Sequence, residues 1–182
     1  SRLHRYVTRY DLKSKEATAL VEERETCDLY EAAIVELAQL GVGGDRAGKI
    51  AANLLLQQAM KRANERAVEV HELGITAPRL AELAKLREDG LMRNQSVETV
   101  FDAMLGDADR SAQDIAKDLN LLIVRDDAAL AGWIDTVFAA NPKVVEDVKG
   151  GKVQAAGRLV GEVMKLAGGA ADAKHVRDEI LK

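Results

Sequence analysis

Asn141-Pro142-Lys143-Val144-Val145-Glu146-Asp147-Val148-Lys149-Gly150-Gly151-Lys152, and shortly after it Gly157-Arg158-Leu159-Val160-Gly161-Glu162-Val163-Met164-Lys165, is the stretch from which the fold reads outward. Asn141 sits where a helix cap is expected, and Pro142 takes the first helical position, where its missing N–H costs nothing. Gly150-Gly151 stops that helix early. A second helix is predicted from Val153 to Ala167, with Leu159, Val160, Val163 and Leu166 facing inward at three- and four-residue spacing. Gly168-Gly169 is the next stop. Asp172 then caps a last helix whose Val176, Ile180 and Leu181 point inward.

Upstream the same period continues. Asp126 opens a helix with Leu130, Trp133, Ile134, Val137 and Phe138 on one face, and Leu121–Val124 reads as an extended connector. Ser111 caps a short helix through about Leu119. Nearer the N-terminus, Leu3, Tyr6, Val7 and Tyr10 mark a helix that Asp11-Leu12-Lys13 breaks, and Ser14 reads as the cap of the next. Leu29, Ala33, Ile34, Leu37 and Leu40 keep the helical period up to Gly41. After Gly41–Gly44, Asp45 reads as the cap of a helix presenting Ile50, Leu54, Leu55 and Ala59. Between Glu65 and Gly74 the pattern weakens, as a frayed helix, a linker or a hinge would. Thr76 and Pro78 start a helix carrying Leu80, Leu83, Ala84 and Leu86 as far as Gly90. A further one, about Gln95 to Leu105, turns Val97, Val100, Phe101 and Met104 inward. The expected fold is all-α, in two small helical subdomains divided at the Gly106–Asp109 seam: residues 1–107 and 108–182.

Composition agrees. Of 182 residues, 47% are apolar and 31% charged, with only 2 Pro and six aromatic side chains, which suits packed helices better than sheets. One cysteine excludes an internal disulfide framework. No apolar run reaches the roughly 18 residues of a membrane span, and no signal peptide is legible, so a soluble, cytoplasmic protein without a membrane partner is expected. A chain opening on Ser1 is read as a piece of a longer one, or as processed.

Catalytic signals fail on inspection. Gly43-Gly44-Asp45-Arg46-Ala47-Gly48-Lys49-Ile50 nearly spells a phosphate-cradling P-loop, but Ile50 stands where the magnesium-binding hydroxyl is required, and the preceding segment has helical period. His4, His71 and His175 are far apart, with no second ligand three or four residues away, so no metal site is expected. Cys27 has no His or Lys close in sequence to activate a thiolate, its neighbours Glu25 and Asp28 would raise the thiol pKa, and it reads as a packing residue. The acidic runs Glu22-Glu23-Glu25 and Asp126-Asp127 do not converge, because adjacent helical residues diverge by about 100°. This chain alone is not expected to be an enzyme.

The net charge of −4 is unevenly spread. Residues 1–107 and 108–142 are each net negative, whereas residues 143–182 carry eight Lys/Arg against six Asp/Glu. Between Lys149 and Gly169, Lys149, Lys152, Arg158 and Lys165 face Glu162 alone. A polyanion would meet the chain here.

The 141–165 stretch resembles the C-terminal tail of the GatB family, the B-type subunits of the aspartyl/glutamyl-tRNA amidotransferase, whose pattern is close to NPKxVxDYxxGKxxAxGFLVGxVMK. Stand-alone YqeY proteins share that tail domain. Ile75-Thr76-Ala77-Pro78-Arg79-Leu80-Ala81-Glu82-Leu83 is similar to the family's ISPxxLAEL helix start, and Ile50-Ala51-Ala52-Asn53-Leu54-Leu55 to its AANWL segment. Arg5-Tyr6-Val7, Tyr10 and Leu29–Ala33 resemble the region just after the family's catalytic domain. Leu54 replaces the family's Trp, Ser96-Val97-Glu98 replaces a more basic segment that Arg93 partly restores, and Ala171-Asp172-Ala173 replaces the Asn-Pro before the last helix.

The resemblance implies a helical domain plus a YqeY-like tail that grips the tRNA elbow. The parent enzyme would convert Glu-tRNA(Gln) or Asp-tRNA(Asn) to the amide form, as a ligase of protein biosynthesis. Its partners would be tRNA(Gln) or tRNA(Asn), with the A- and C-type subunits of the amidotransferase reached through the full-length GatB protein. Its ATP and magnesium would belong to a catalytic domain with no counterpart in this chain. Lys149, Lys152, Arg158, Lys165 and Lys174 are the candidate tRNA-binding residues. The paired glycines are expected to bare backbone N–H groups for phosphate, and with few aromatics recognition should be of RNA shape and backbone. The competing expectation is a stand-alone YqeY-like adaptor that binds proteins. The matches at residues 5–55 favour the longer GatB protein.

Overall fold

The computed structural model describes residues 1–123, 126–168 and 171–182. Val124 of the expected connector and Gly169 of the expected glycine stop lie outside the described residues. The described residues form helices and loops with no strand, and the chain divides into two units, Ser1–Leu121 and Leu122–Lys182.

The first unit runs α1 (Arg2–Arg9), α2 (Ser14–Glu22), α3 (Arg24–Gln39), α4 (Gly44–Leu54), a π-helical turn (Leu55–Ala59), α5 (Met60–Arg66), a 3-10 turn (Val70–Leu73), α6 (Ala77–Glu88), α7 (Asn94–Gly106) and α8 (Ala112–Asp118). α3 is the central element and packs on α2, α4 and α6. Its Tyr30 and Leu37 are fully buried, with Tyr6 from α1, Ile50 and Leu54 from α4, and Leu80 and Leu83 from α6. Gly48 shows why an apparent P-loop is a packing site. A Cβ there would run into the Tyr10 ring, and Tyr30 Oη donates to the Gly48 carbonyl at 2.8 Å. Tyr6 meets Tyr30 edge-on, centroids 4.9 Å apart, a favoured arrangement of ring quadrupoles. Asp45 is not the cap of α4. Gly43 holds that position without a side-chain hydrogen bond, and Asp45 receives Arg9 Nε at 2.8 Å instead. Nor is Ser14 a cap: the helix already includes it, and Glu16 accepts from the Lys13 N–H at 2.8 Å.

Two buried arginines tie the later helices together. Arg62 of α5 donates to Asp102 (2.5 Å), to Gln58 Oε1 (2.8 Å) and to the Glu98 carbonyl (3.2 Å), and its guanidinium lies 4.9 Å from the Phe101 ring centre. Arg79 of α6 reaches the carbonyls of Met104 (3.2 Å), Asp107 (2.5 Å) and Arg110 (3.0 Å), so it caps the C-terminus of α7 and holds the following loop. Glu82 then accepts from the Ala112 and Gln113 N–H groups at 3.0 and 3.2 Å, anchoring the start of α8. The Gly106–Asp109 seam therefore lies inside the first unit, and α8 groups with α6 and α7 rather than with the tail. The Glu65–Gly74 segment is also internal to this unit. Ala67 and Gly74 adopt positive φ (53° and 75°), and Val70 between them is buried.

The second unit contains α9 (Asp127–Ala140), α10 (Pro142–Lys149), a 3-10 turn (Val153–Ala155), α11 (Ala156–Ala167) and α12 (Ala173–Ile180). α11 is its centre and packs on α9, α10 and α12. Its buried stripe is Ala156, Leu159, Val163 and Ala167, against Leu130 and Val137 of α9 and Val176 and Ile180 of α12. Leu166, expected inside, is 50% exposed, and Leu181 is exposed as well; the stripe runs one residue further round the helix, through Ala167. α10 contributes no fully buried residue and rests Val144, Val145 and Val148 on the edge of the core.

Candidate nucleic-acid interface

All five cations singled out from the sequence lie in the second unit and all are exposed. Lys149 is the last residue of α10, where a cation complements the helix dipole. Lys152 follows the Gly150-Gly151 turn, and its ammonium lies 3.4 Å from Asp147. Arg158 stands in the first turn of α11, its guanidinium 3.7 Å from Glu162. Lys165 is in the last turn of α11 and Lys174 in the first turn of α12. Among the described residues Lys149, Lys165 and Lys174 make no ion pair; Lys143 and Arg177, exposed and likewise unpaired, belong to the same set, although spacing alone gave no reason to choose them. Arg158 and Lys165, seven residues apart, share one face of α11 about 10 Å apart along the axis. Gly161 lies beside them on that face, and a Cβ there would meet nothing within 4 Å. That face is smooth, cationic and open.

Backbone donors play less part than expected. The N–H groups of Gly150, Gly151, Lys152 and Val153 are turned onto the carbonyls of Glu146, Val148, Asp147 and Gly151 at 2.9–3.1 Å. Gly151 at φ 100° closes the chain into this tight turn, a backbone conformation that glycine adopts without steric cost. The Lys174 N–H is taken by Asp172 at 3.3 Å. The ammonium and guanidinium groups are therefore the donors these turns leave outward. Asn141 also departs from its expected role. It occupies the cap position of α10, but its side chain donates back to the Val137 carbonyl at 2.9 Å and to Glu162. This closes α9 and fastens it to α11, which holds Glu162 where Arg158 meets it. Asp126 and Asp172 do cap their helices through their side chains, as the sequence indicated.

The fold brings one titratable cluster together that spacing could not show: ligand atoms of Glu25, Glu69 and His71 lie within 4.8 Å of one another. All three are exposed, and His71 Nδ1 already meets Glu69 at 3.2 Å, an arrangement that surface acids adopt without an ion. Among the described residues no helix is long and apolar enough to cross a membrane.

A two-unit helical chain with a cationic C-terminal face is the class that these features define. A family model described as the GatB domain matches residues 32–182, and the chain belongs to that family. It is 43% identical over 128 residues to the B-type subunit of the aspartyl/glutamyl-tRNA(Asn/Gln) amidotransferase of Cutibacterium acnes, covering 70% of this chain and 25% of that protein. The corresponding protein of Mycolicibacterium smegmatis is 38% identical over 158 residues, 85% of this chain and 30% of the relative. That of Salinibacter ruber is 34% identical over 179 residues, 97% of this chain and 35% of the relative. The chain thus spans about a quarter to a third of the length of these relatives.

Proposed function

We propose that this chain is a non-catalytic, tRNA-binding part of an amidotransferase GatB protein, acting with the A- and C-type subunits in converting Glu-tRNA(Gln) or Asp-tRNA(Asn) to the amide form. Kinship to GatB over most of the chain supports the assignment to that enzyme. The observation that carries the binding role is the set of exposed, unpaired ammonium groups at the helix ends of the second unit, Lys149, Lys165 and Lys174, beside Lys152 and Arg158. Charges left without a protein counterion are available to displace the counterions of a nucleic acid, which is the main source of sequence-independent affinity. The glycine face of α11 lets an RNA backbone approach these cations closely, and backbone contacts of this kind fix register and orientation. The resemblance to GatB points to the tRNA elbow as the region contacted, and recognition there would be of shape and phosphates.

The test is a salt-dependent titration of the chain against tRNA(Gln), tRNA(Asn) and an unrelated tRNA. Similar affinity for all three, with a log–log salt slope near about −3 for four phosphate contacts, is expected. Lys149→Glu combined with Lys152→Glu should weaken binding while leaving helicity unchanged. Absence of binding at low salt would sink the tRNA reading and favour a YqeY-like module that docks proteins.

A further inference from the structure

A second polar site lies in the first unit. α4, the π-helical turn, the end of α6 and the start of α7 border an open cleft of about 450 Å³, within the roughly 300–1,000 Å³ range of small-molecule sites. Its lining is unusual for such a site. Asn53, Gln57, Gln58 and Asn94 supply four carboxamides, Arg46 and Arg87 two guanidiniums and Glu88 one carboxylate, with Ile50 the one aliphatic side chain. Arg46 is fixed by a two-pronged contact with Glu88, 2.7 and 2.8 Å. Arg87 is half-buried, and among the described residues it makes no side-chain hydrogen bond or ion pair. Burial, opposed only in part by Glu88, pushes its guanidinium pKa down. A half-buried guanidinium with no side-chain acceptor is available to an anion that enters the cleft.

Three further observations converge on the same place. The side chains of half-buried Asn53 and of exposed Gln57 and Asn94 have no hydrogen-bond partner in the described residues and are open to a ligand, while Gln58 is held by Arg62 at 2.8 Å. α7 opens at the cleft through Asn94, its first residue. It has no side-chain cap and no acid in its first turn, and among the described residues the Asn94 and Gln95 N–H groups have no protein acceptor. Finally, the π-helical turn Leu55–Ala59 inserts a residue into the α4–α5 helix just where Gln57 and Gln58 line the cleft, a distortion frequent at functional sites.

The geometry points to a site for a ribose-phosphate group, with the phosphate on Arg87 and the N-terminus of α7 and the hydroxyls on Asn53, Gln57 and Asn94. No aromatic ring lines the cleft, which leaves nothing for a base to stack on. Paired amide donors and acceptors suit hydroxyls, and a guanidinium beside free helix N–H groups suits an oxyanion. The group can come from an RNA backbone or from a free sugar phosphate. The inference goes beyond the tRNA reading and does not rest on it.

The test is an amide-resolved NMR titration of the whole chain with inorganic phosphate, ribose 5-phosphate and a short single-stranded RNA as separate probes. Ribose 5-phosphate should move the Arg87, Asn94 and Gln95 amide signals and the side-chain amides of Asn53 and Gln57, binding about tenfold more tightly than inorganic phosphate. Arg87→Gln should weaken this response about tenfold or more. Asn94→Asp should abolish it with an unchanged or higher melting temperature, since an acid in the first turn stabilises a helix while repelling an anion. RNA moving the same signals at lower concentration assigns the group to a nucleic-acid backbone; a response to ribose 5-phosphate alone assigns it to a free sugar phosphate. Signals unmoved by all three probes, equal affinity for inorganic phosphate, or a response that survives both substitutions overturns the site. Lys149→Glu with Lys152→Glu should leave this titration unchanged, which separates its failure from that of the tRNA reading.

Discussion

Arg5, Arg9, Arg46, Lys49, Lys61 and Arg62 of the first unit each close on a carboxylate from a different segment of the chain, respectively Glu31, Asp45, Glu88, Asp11, Glu98 and Asp102. In the second unit Lys149, Lys165 and Lys174 close on none among the described residues, and Lys152 and Arg158 stand 3.4 and 3.7 Å from theirs. Apart from buried Arg62, these are exposed pairs individually worth about 0–1 kcal/mol, so in the first unit their main effect is to fix helix against helix around a deep core. In the second the core lies along α11, and Lys149, Lys165 and Lys174 remain on its surface without a carboxylate partner among the described residues. Exposed cations without an ion pair occur in both units, Lys13, Lys15, Arg66, Arg93 and Lys117 among the described residues of the first, but only the first also ties a series of others to carboxylates from distant helices. What separates them is whether the fold brings a carboxylate within reach.

The sharpest way to break this contrast is through the cores. Leu159 is fully buried at the centre of the second unit. Leu159→Ala should destabilise that unit by about 3 kcal/mol, because it leaves a cavity that few neighbours can fill. Urea unfolding followed by Trp133 fluorescence should then show that unit melting early, while far-ultraviolet circular dichroism shows the first keeping its transition. Arg62→Ala should cost the first unit about 2–3 kcal/mol, less than loss of a partner from a fully buried pair, because Asp102 is largely open to water once freed. A change below about 0.5 kcal/mol would reduce Arg62 to a surface residue in energetic terms. Gly48→Ala displaces the Tyr10 ring. It should cost about 1–3 kcal/mol, read as a lower melting temperature of the first unit with α-helical signal retained.

Acid gives a smaller and more diagnostic effect. The Arg62 hydrogen bond holds the Asp102 carboxyl below its usual 3.8, and Arg46 holds Glu88 below its usual 4.5. Both carboxylates therefore add stability that is complete above about pH 4.5 and is lost as the pH falls through their lowered values, each worth under about 1 kcal/mol at such exposure. Asp102→Asn should flatten the acid limb of the first unit's stability curve; an unchanged slope would show that other groups govern it. The smallest expected stability change is for Lys149→Glu with Lys152→Glu, within about 0.5 kcal/mol. A marked loss of helicity there would mean that these lysines hold the second unit together rather than face a partner.

Much of this molecule was legible in advance because helix signals are local. Pro142, Gly150-Gly151, Ser111, Asp126 and Asp172 fall at or beside helix ends. Buried positions such as Leu130, Val137, Leu159 and Val176 follow the 3.6-residue period. Local signals fail where a distant group changes the outcome. Asn141 reads as a cap, yet Glu162 and the Val137 carbonyl draw its side chain away. The loop around Gly106 reads as a boundary, yet Arg79 and Glu82, from α6, bind both of its ends. Leu166 reads as core, yet the curvature of contact around α11 selects Ala167.

The sequence by itself determined the all-helical class, most helix boundaries, the membership suggested by the 141–165 stretch and the concentration of positive charge near the C-terminus, since each depends on residues within a few turns of one another. Tertiary structure alone decided which cations are neutralised and which stay free, where the two units divide, and that Arg87, Asn53, Gln57 and Asn94 face one cleft. Those outcomes depend on distances between segments tens of residues apart, which periodicity does not encode. They are set by how the helices pack, and only packing brings a guanidinium to its carboxylate or leaves it without one.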